Sequence, residues 1–262
     1  MILWQNEVMI LKTINNEAVI KYIFDGIYGV SYYLAIEYHE YGSLQKYLSM
    51  NTLSLRLCLD FLLSLANGLD YLHSEHYVES KLIKSTIVHR DIKSQNVLVK
   101  QNLQLCLADF GVALVLPETL TIKDFVQLGT IRYMAPELLE GVITYTREAL
   151  CAVDIYALAL VMWEIGTRCI DYPNVCDYQQ PYDEYLKNSD EYKNRNVHLE
   201  HIHDVVLYKK LRPSINLTNV TNQVVLEIFN MIEECWLKDS DARMNARSVA
   251  CKLKTLSAQI QS

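Results

Sequence analysis

Apolar positions along this chain first recur with the period of a helix. Leu3, Met9, Ile10, Leu11 and Ile14 have charged or polar residues between them, which predicts a short amphipathic helix over 3–14. Two strand-like stretches follow, 18–24 and 30–37. Asp25-Gly26 lies between them with Gly29 close behind, a hairpin signal. From Ser43 onward helices dominate: one over 43–49, then a long one over roughly 54–73 with Leu57, Phe61, Leu62, Leu65, Leu69 and Leu72 along one face. A polar stretch, 74–86, leads into short β-rich pieces at Val97–Val99 and Leu103–Leu107. Further helices are predicted near 148–166, 200–209, 223–236 and 245–258. The region 171–199, rich in Asp, Glu, Tyr and Asn, reads as a long surface insertion. The layout is α+β: a small β-containing start on a large, mostly helical body.

Composition narrows the function classes. Apolar residues make up 51% of 262, enough for a sizeable core and too many for disorder. The balance of 24 Lys+Arg against 31 Asp+Glu, a net −7, argues against a nucleic-acid partner. The seven cysteines, at 58, 106, 151, 169, 176, 235 and 251, form no C-x-x-C. They read as reduced, buried thiols. The longest apolar run, Ile155 to Trp163, falls well short of the ~20 residues of a membrane span, and no targeting segment is evident. The chain as it stands is expected to be soluble.

Candidate chemistry concentrates in one string, His89-Arg90-Asp91-Ile92-Lys93-Ser94-Gln95-Asn96, a full match to H-R-D-x-x-x-x-N. Phosphoryl transfer asks for these residue types. A carboxylate (Asp91) orients and accepts the proton of the attacking hydroxyl, and a carboxamide oxygen (Asn96) holds a divalent cation. An ammonium (Lys93) meets the charge developing on the transferred phosphate. Asp109-Phe110-Gly111 follows, preceded by strand-like Leu103–Leu107, and then Ala135-Pro136-Glu137. Three motifs in order at domain-like spacing leave little room for coincidence. Oxygen ligands at Asn96 and Asp109 suit Mg²⁺ or Mn²⁺ and not zinc, for which no Cys/His cluster exists.

With these motifs the chain resembles a eukaryotic protein kinase. Within kinases it is similar to the receptor serine/threonine kinases of the transforming-growth-factor-β superfamily. The telling strings are Glu37-Tyr38-His39-Glu40-Tyr41-Gly42-Ser43-Leu44, Gly129-Thr130-Ile131-Arg132-Tyr133-Met134, Asp154-Ile155-Tyr156-Ala157-Leu158 and Arg168-Cys169. Glu140-Gly141 after A-P-E and Ile232-Glu233-Glu234-Cys235-Trp236 look more like the type II branch, most similar to bone morphogenetic protein and activin type II receptors.

The resemblance implies further roles. Glu7 matches the helix glutamate that pairs with an ATP-positioning lysine. Ile36 matches the gatekeeper, Glu37 to His39 the hinge against adenine, Leu98 the floor beneath it, and Ser43 the ribose neighbourhood. His89, Arg90, Phe110 and Gly111 complete the loops, Asp154 would support the catalytic-loop backbone, and Glu137 and Arg243 would form a buried structural pair. Lys93, with Thr130 in the substrate segment, is the serine/threonine pattern; tyrosine kinases usually carry Ala or Arg in this loop. ATP and Mg²⁺ (or Mn²⁺) are the implied cofactors. A type I receptor kinase is the implied substrate and partner, and an extracellular growth factor would bind through an ectodomain missing from this chain. Membrane association is implied in the same way.

The family pattern begins with G-x-G-x-x-G-x-V and V-A-I-K before that helix. Here the helix starts near residue 3, and Lys12 and Lys21 both follow it, so neither matches the ATP lysine. The expectation is a domain truncated at its N-terminus: 1–38 a partial small lobe, 39–262 the large lobe. As it stands, such a chain would transfer little or no phosphate. The alternative reading is a non-catalytic, kinase-like scaffold or dominant-negative form.

Overall fold

A computed structural model describes residues 2–117, 129–144, 146–186 and 199–260. Helix α1 (Ile2–Thr13) buries Val8, Ile10 and Leu11 and exposes Leu3 and Met9, so its inner face is narrower than the apolar pattern suggests. The chain then runs past β7 (Leu105–Leu107) before making its own hairpin. Ile20 N–H donates to Leu107 O at 2.8 Å, and Leu107 N–H to Ala18 O at 2.9 Å. The predicted strand over 18–24 is thereby split. Its first half belongs to the helical body, and its second half opens β1 (Tyr22–Tyr28), antiparallel to β2 (Ser31–Ile36).

The hairpin turns at Gly29, at φ +60°, with Tyr28 opposite Ser31, and not at Asp25-Gly26. Asp25 is held within the strand because its carboxylate is bound by Lys12 and by the Tyr22 hydroxyl. A glycine free to adopt the left-handed region decides the turn.

Helices α2 (Leu44–Met50) and α3 (Leu55–His73) start where their serine caps dictate. Ser43 Oγ accepts from Lys46 N, and Ser54 Oγ accepts from Leu57 N. The buried face of α3 carries Phe61, Leu62, Leu65, Leu69 and Leu72. Its C-terminal carbonyls are closed by Lys84 Nζ, which donates to Leu72 O at 2.8 Å and Ser74 O at 2.7 Å. Lys84 reaches them from a second hairpin, β3 (His76–Val78) and β4 (Lys81–Lys84), inside the stretch read as merely polar. Its turn is made by Glu79 and Ser80, both at positive φ, so no glycine announces it.

The short strands β5 (Ile87–Val88) and β6 (Val97–Val99) pair with β8 (Leu114–Val115) and with β7, respectively. These two small ladders frame the loops that carry the sequence motifs. After α4 (Pro136–Glu140), helix α5 (Arg147–Gly166) runs through the centre. It is 20 residues long and apolar enough by length and composition to cross a membrane, but 94% of its most apolar stretch is buried inside the fold. It is a core helix.

Beyond it lie α6 (Asp183–Leu186), α7 (Leu199–His203) running into a wide turn over Asp204–Tyr208, α8 (Gln223–Cys235) and α9 (Ala246–Gln259). The reading of 171–199 as surface is corrected for its described part: Tyr172, Tyr182, Asp183 and Leu186 are buried. Residues 187–198 lie outside the described residues. The cysteine reading is also corrected. Cys58, Cys106, Cys169 and Cys235 are buried, but Cys151 is half-buried and Cys176 and Cys251 are exposed. One core joins Ile10, Leu11 and Val19 to Leu65, Leu69 and Leu107, and through α5 to α8 and α9. A β-containing start packed on a helical body is the α+β arrangement expected.

Candidate active site

Asp91 sits in the loop between β5 and β6, and its carboxylate receives four hydrogen bonds. Oδ1 accepts Thr130 N–H at 2.8 Å and Thr130 Oγ1–H at 2.7 Å. Oδ2 accepts Lys93 Nζ at 2.7 Å and Asn96 Nδ2 at 3.0 Å. Lys93 Nζ also reaches Thr130 Oγ1 at 2.7 Å, closing a triangle of carboxylate, ammonium and hydroxyl. Burial alone would raise the Asp91 carboxyl, but the bonds from Lys93 and Thr130 outweigh it and hold the group below the usual carboxylate range. Asp91 is therefore an ionised acceptor at neutral pH.

The loop is held from beneath. Asp154 of α5, 1% exposed, accepts His89 N–H at 2.7 Å on Oδ2 and Arg90 N–H at 2.9 Å on Oδ1. His73, at the end of α3, lies 2.9 Å from the same Oδ2. The loop needs this anchoring, because Arg90 is at φ +65°. His89 is fully buried, with Nε2 3.1 Å from Ala108 O and its ring 4.9 Å from that of Phe110. Burial lowers its pKa and keeps it neutral. Arg90 Nε donates to Val112 O at 2.6 Å, tying the catalytic loop to the D-F-G segment.

That segment is fastened on its other side by α1. Glu7 Oε1 accepts Phe110 N–H at 3.2 Å, and Asn6 Nδ2 donates to the carbonyls of Phe110, Gly111 and Ala113 at 3.3, 3.1 and 2.8 Å. Burial raises the pKa of Glu7; the Phe110 amide opposes this, and nearby Asp109 adds to it. Asp109 itself is exposed, at φ +66°. Ala108 N–H donates to Asn96 O at 2.8 Å, so the segments carrying Asn96 and Asp109 are bound together. Asn96 gives its amide nitrogen to both Asp91 O and Asp91 Oδ2, each at 3.0 Å, which leaves its carboxamide oxygen for a cation. One carboxylate and one carboxamide oxygen are donors suited to a hard cation such as Mg²⁺. The residues present fit that ion.

The residues that the resemblance assigns to the nucleotide lie at the end of β2, in the segment leading into α2, and on β6. Ile36 ends β2, Glu37 N–H donates to Lys21 O at 3.0 Å, and Gly42 N–H donates to His39 O at 3.0 Å. His39 is nearly buried with Nε2 3.5 Å from Cys106 Sγ, and burial keeps its imidazole neutral. Ser43 and Leu98 face each other across a single β-bridge. The Ser43 oxygen accepts the capping bond of α2, which leaves its O–H and a second lone pair to be offered elsewhere. Glu137 and Arg243 meet as expected: both guanidinium Nη atoms lie 2.7 Å from the two carboxylate oxygens.

Several supports escaped the sequence reading. Asn6 stands beside Glu7, and His73 closes a long helix, with no local signal of either contact. From the supposed surface insertion, Asp183 binds Arg132 Nη1 at 2.8 Å, and the Tyr178 hydroxyl binds buried Glu164. Glu164 also accepts Tyr133 O–H at 2.7 Å, and Ser94 Oγ lies 3.3 Å from both tyrosine hydroxyls. This network fixes the segment after Thr130 against the catalytic loop.

Comparison with known proteins agrees with this geometry. Residues 3–253 match the family model described as "Protein kinase domain". The chain is 37% identical over 253 residues to human activin receptor type-2A, covering 94% of this chain and 48% of the relative. It is 37% identical over 254 residues to the Xenopus laevis protein of the same name, with the same coverages, and 36% identical over 232 residues to mouse TGF-beta receptor type-2, covering 87% and 40%. The chain spans about half the length of the curated relatives it matches. An ionised aspartate clasped by lysine and threonine, braced by a buried second aspartate and followed by D-F-G and A-P-E, coincides with a family match over nearly all the residues: the chain belongs to the protein kinase domain family.

Proposed function

We propose that this chain is the kinase domain of a type II receptor of the transforming-growth-factor-β superfamily, passing the γ-phosphate of ATP to serine or threonine of a type I receptor kinase. Residues 1–38 are assigned to the small lobe and 39–262 to the large one. The observation that carries the reading is the Asp91–Lys93–Thr130 triangle beside Asn96. In this reading a substrate hydroxyl takes its place against Asp91, which accepts its proton as the oxygen attacks phosphorus. Lys93 faces the negative charge that grows on the transferred phosphate, and Thr130 keeps carboxylate and ammonium in register. Asn96 and Asp109 would hold Mg²⁺ (or Mn²⁺), which when bound neutralises phosphate charge.

Ile36, Glu37, His39 and Leu98 would border the adenine, and Ser43 the ribose. Glu7, His89, Arg90, Phe110, Gly111 and Asp154 support the loops, and Glu137 with Arg243 braces the A-P-E turn. The named relatives are receptors, which supports placing the whole protein at a membrane with a growth-factor-binding portion outside this chain. The test is phosphate transfer by the full-length protein from labelled ATP to a type I receptor kinase domain, followed by phosphoamino-acid analysis. Label on serine and threonine supports the reading; label on tyrosine alone, or none, contradicts it.

A further inference from the structure

Helix α1 meets the D-F-G segment through that segment's backbone. Leu3, Asn6, Glu7 and Ile10 share one face of the helix by their spacing, and Ile10 is sunk in the core. Trp4 ties the helix to β2: its Nε1 donates to Tyr33 O at 3.1 Å, and its ring lies 5.0 Å from that of Tyr32. A helix held at both places presents Asn6 in a fixed position. Three carbonyls converge on the one nitrogen of that side chain, Phe110 O at 3.3 Å, Gly111 O at 3.1 Å and Ala113 O at 2.8 Å. Such a site asks for a donor. A carboxylate there would face three oxygens, a serine hydroxyl carries a single hydrogen, and an amide turned the other way would set oxygen against oxygen.

The remaining bonds of the segment complete the clamp. Phe110 N–H goes to Glu7, Ala113 N–H to Phe110 O at 3.1 Å, and Val112 O accepts Arg90 Nε. Every peptide plane from Asp109–Phe110 to Ala113–Leu114 therefore carries at least one of these bonds. What the clamp serves stands at its start. Asp109 is at φ +66°, a conformation that a residue other than glycine keeps only where its surroundings over-determine it. Its Oδ1 leans over Gly111, 3.5 Å from the place a Cβ would take there. The direction of the Asp109 carboxylate is thus coupled to the planes that Asn6 holds.

We propose that Asn6 is a positioning residue for the divalent cation: by holding three carbonyls it fixes the backbone after Asp109 and so the carboxylate that Asp109 offers to the metal. The proposal rests on the reading of Asp109 as a metal ligand. Asn6 touches neither metal nor substrate in this account and acts only through the D-F-G backbone. Its loss frees the planes beyond Asp109 to turn, and the strained φ at Asp109 relaxes. The consequence is a higher metal requirement, which raising the metal concentration makes good.

Two variants of the full-length protein test this. Asn6→Leu keeps the bulk and favours the helix but has no donor, and Asn6→Ala removes the bulk as well. Mn²⁺ is titrated into each with ADP present, and the free ion is followed by its paramagnetic resonance signal. The Mn²⁺ dissociation constant is expected to rise about tenfold in both variants, the fold-change that goes with losing such hydrogen bonds. Amide hydrogen exchange at Phe110 and Ala113 should accelerate. In phosphate transfer the half-saturating Mg²⁺ concentration should rise in parallel, with the lost rate largely recovered at high Mg²⁺ and the KM for the protein substrate unmoved. A role confined to stability would shift the denaturation midpoint and leave metal affinity alone. Unchanged Mn²⁺ affinity in both Asn6 variants, while Asp109→Ala loses it, overturns the proposal and leaves the metal assignment standing. Unchanged affinity in Asp109→Ala removes the metal assignment itself, and the proposal falls with it.

Discussion

Thr130 places two hydrogen bonds on a single oxygen of Asp91, one from its backbone N–H at 2.8 Å and one from its hydroxyl at 2.7 Å. The preceding Gly129 makes this approach possible. It sits at φ +119°, and a Cβ there would lie 2.5 Å from Arg90 O. The segment before A-P-E is thus docked directly on the proposed catalytic carboxylate, with Lys93 bridging the two side chains.

Thr130→Val keeps the shape and the backbone bond but removes the hydroxyl shared by Asp91 and Lys93. Hydrogen bonds to charged groups contribute about 1.5–3 kcal/mol. Turnover is expected to fall about 10- to 100-fold, with little change in the denaturation midpoint, while Thr130→Ser stays near wild type. Steady-state kinetics of the full-length variants check this; full turnover in the valine variant would remove Thr130 from the positioning role.

Metal removal is a separate expectation. With ligands from Asn96 and Asp109, activity should vanish in excess EDTA and return with Mg²⁺ or Mn²⁺. Asp109→Ala should raise the Mg²⁺ concentration needed for half-maximal rate. Full activity in EDTA would be incompatible with this site.

Glu137 and Arg243 form a bidentate pair, and the arginine side chain is fully buried. Arg243 also donates to Leu237 O and Ala152 O, so it joins the A-P-E turn to α5 and the segment before α9. Arg243→Ala strands the carboxylate and should cost roughly 3–5 kcal/mol. A denaturation midpoint that does not move would show the pair to be energetically idle.

Glu164 supplies a pH dependence. Burial raises its pKa from 4.5 to about 7, with bonds from Ser94, Tyr133 and Tyr178 and the charge of Arg132 opposing the rise. A folded-state pKa above the unfolded one gives stability that is fully present below pH 4.5 and lost as pH rises through about 7. Glu164→Gln stays neutral and lacks this loss. Wild type should therefore weaken relative to the variant between pH 5 and pH 8, by an amount on the order of 3 kcal/mol. Parallel denaturation curves across that range would refute the assignment.

Legibility in the sequence followed the range of each interaction. Serine caps and apolar periodicity are local, so the bounds of α2, α3, α5, α8 and α9 were readable to within a residue or two. The motif loops were readable because phosphoryl transfer prescribes their residue types in order. The β3–β4 hairpin was not, since Glu79 and Ser80 adopt positive φ without a glycine. The supports of the site were the least visible. Asn6 reaches Ala113, His73 reaches Asp154, and Asp183 reaches Arg132 across long stretches of chain. Tyr178 and Asp183 lie in a stretch whose polarity suggested solvent, but their polar groups are satisfied inside the protein by Glu164 and Arg132.

The central claim, that Asp91 takes the proton of a serine or threonine hydroxyl, is tested most directly by the rate of phosphate transfer in full-length Asp91→Asn. Asparagine preserves size and two polar atoms but cannot accept the proton. The account predicts a fall in turnover of at least ~10² with Mg²⁺-ATP affinity roughly unchanged. Turnover equal to wild type would contradict it.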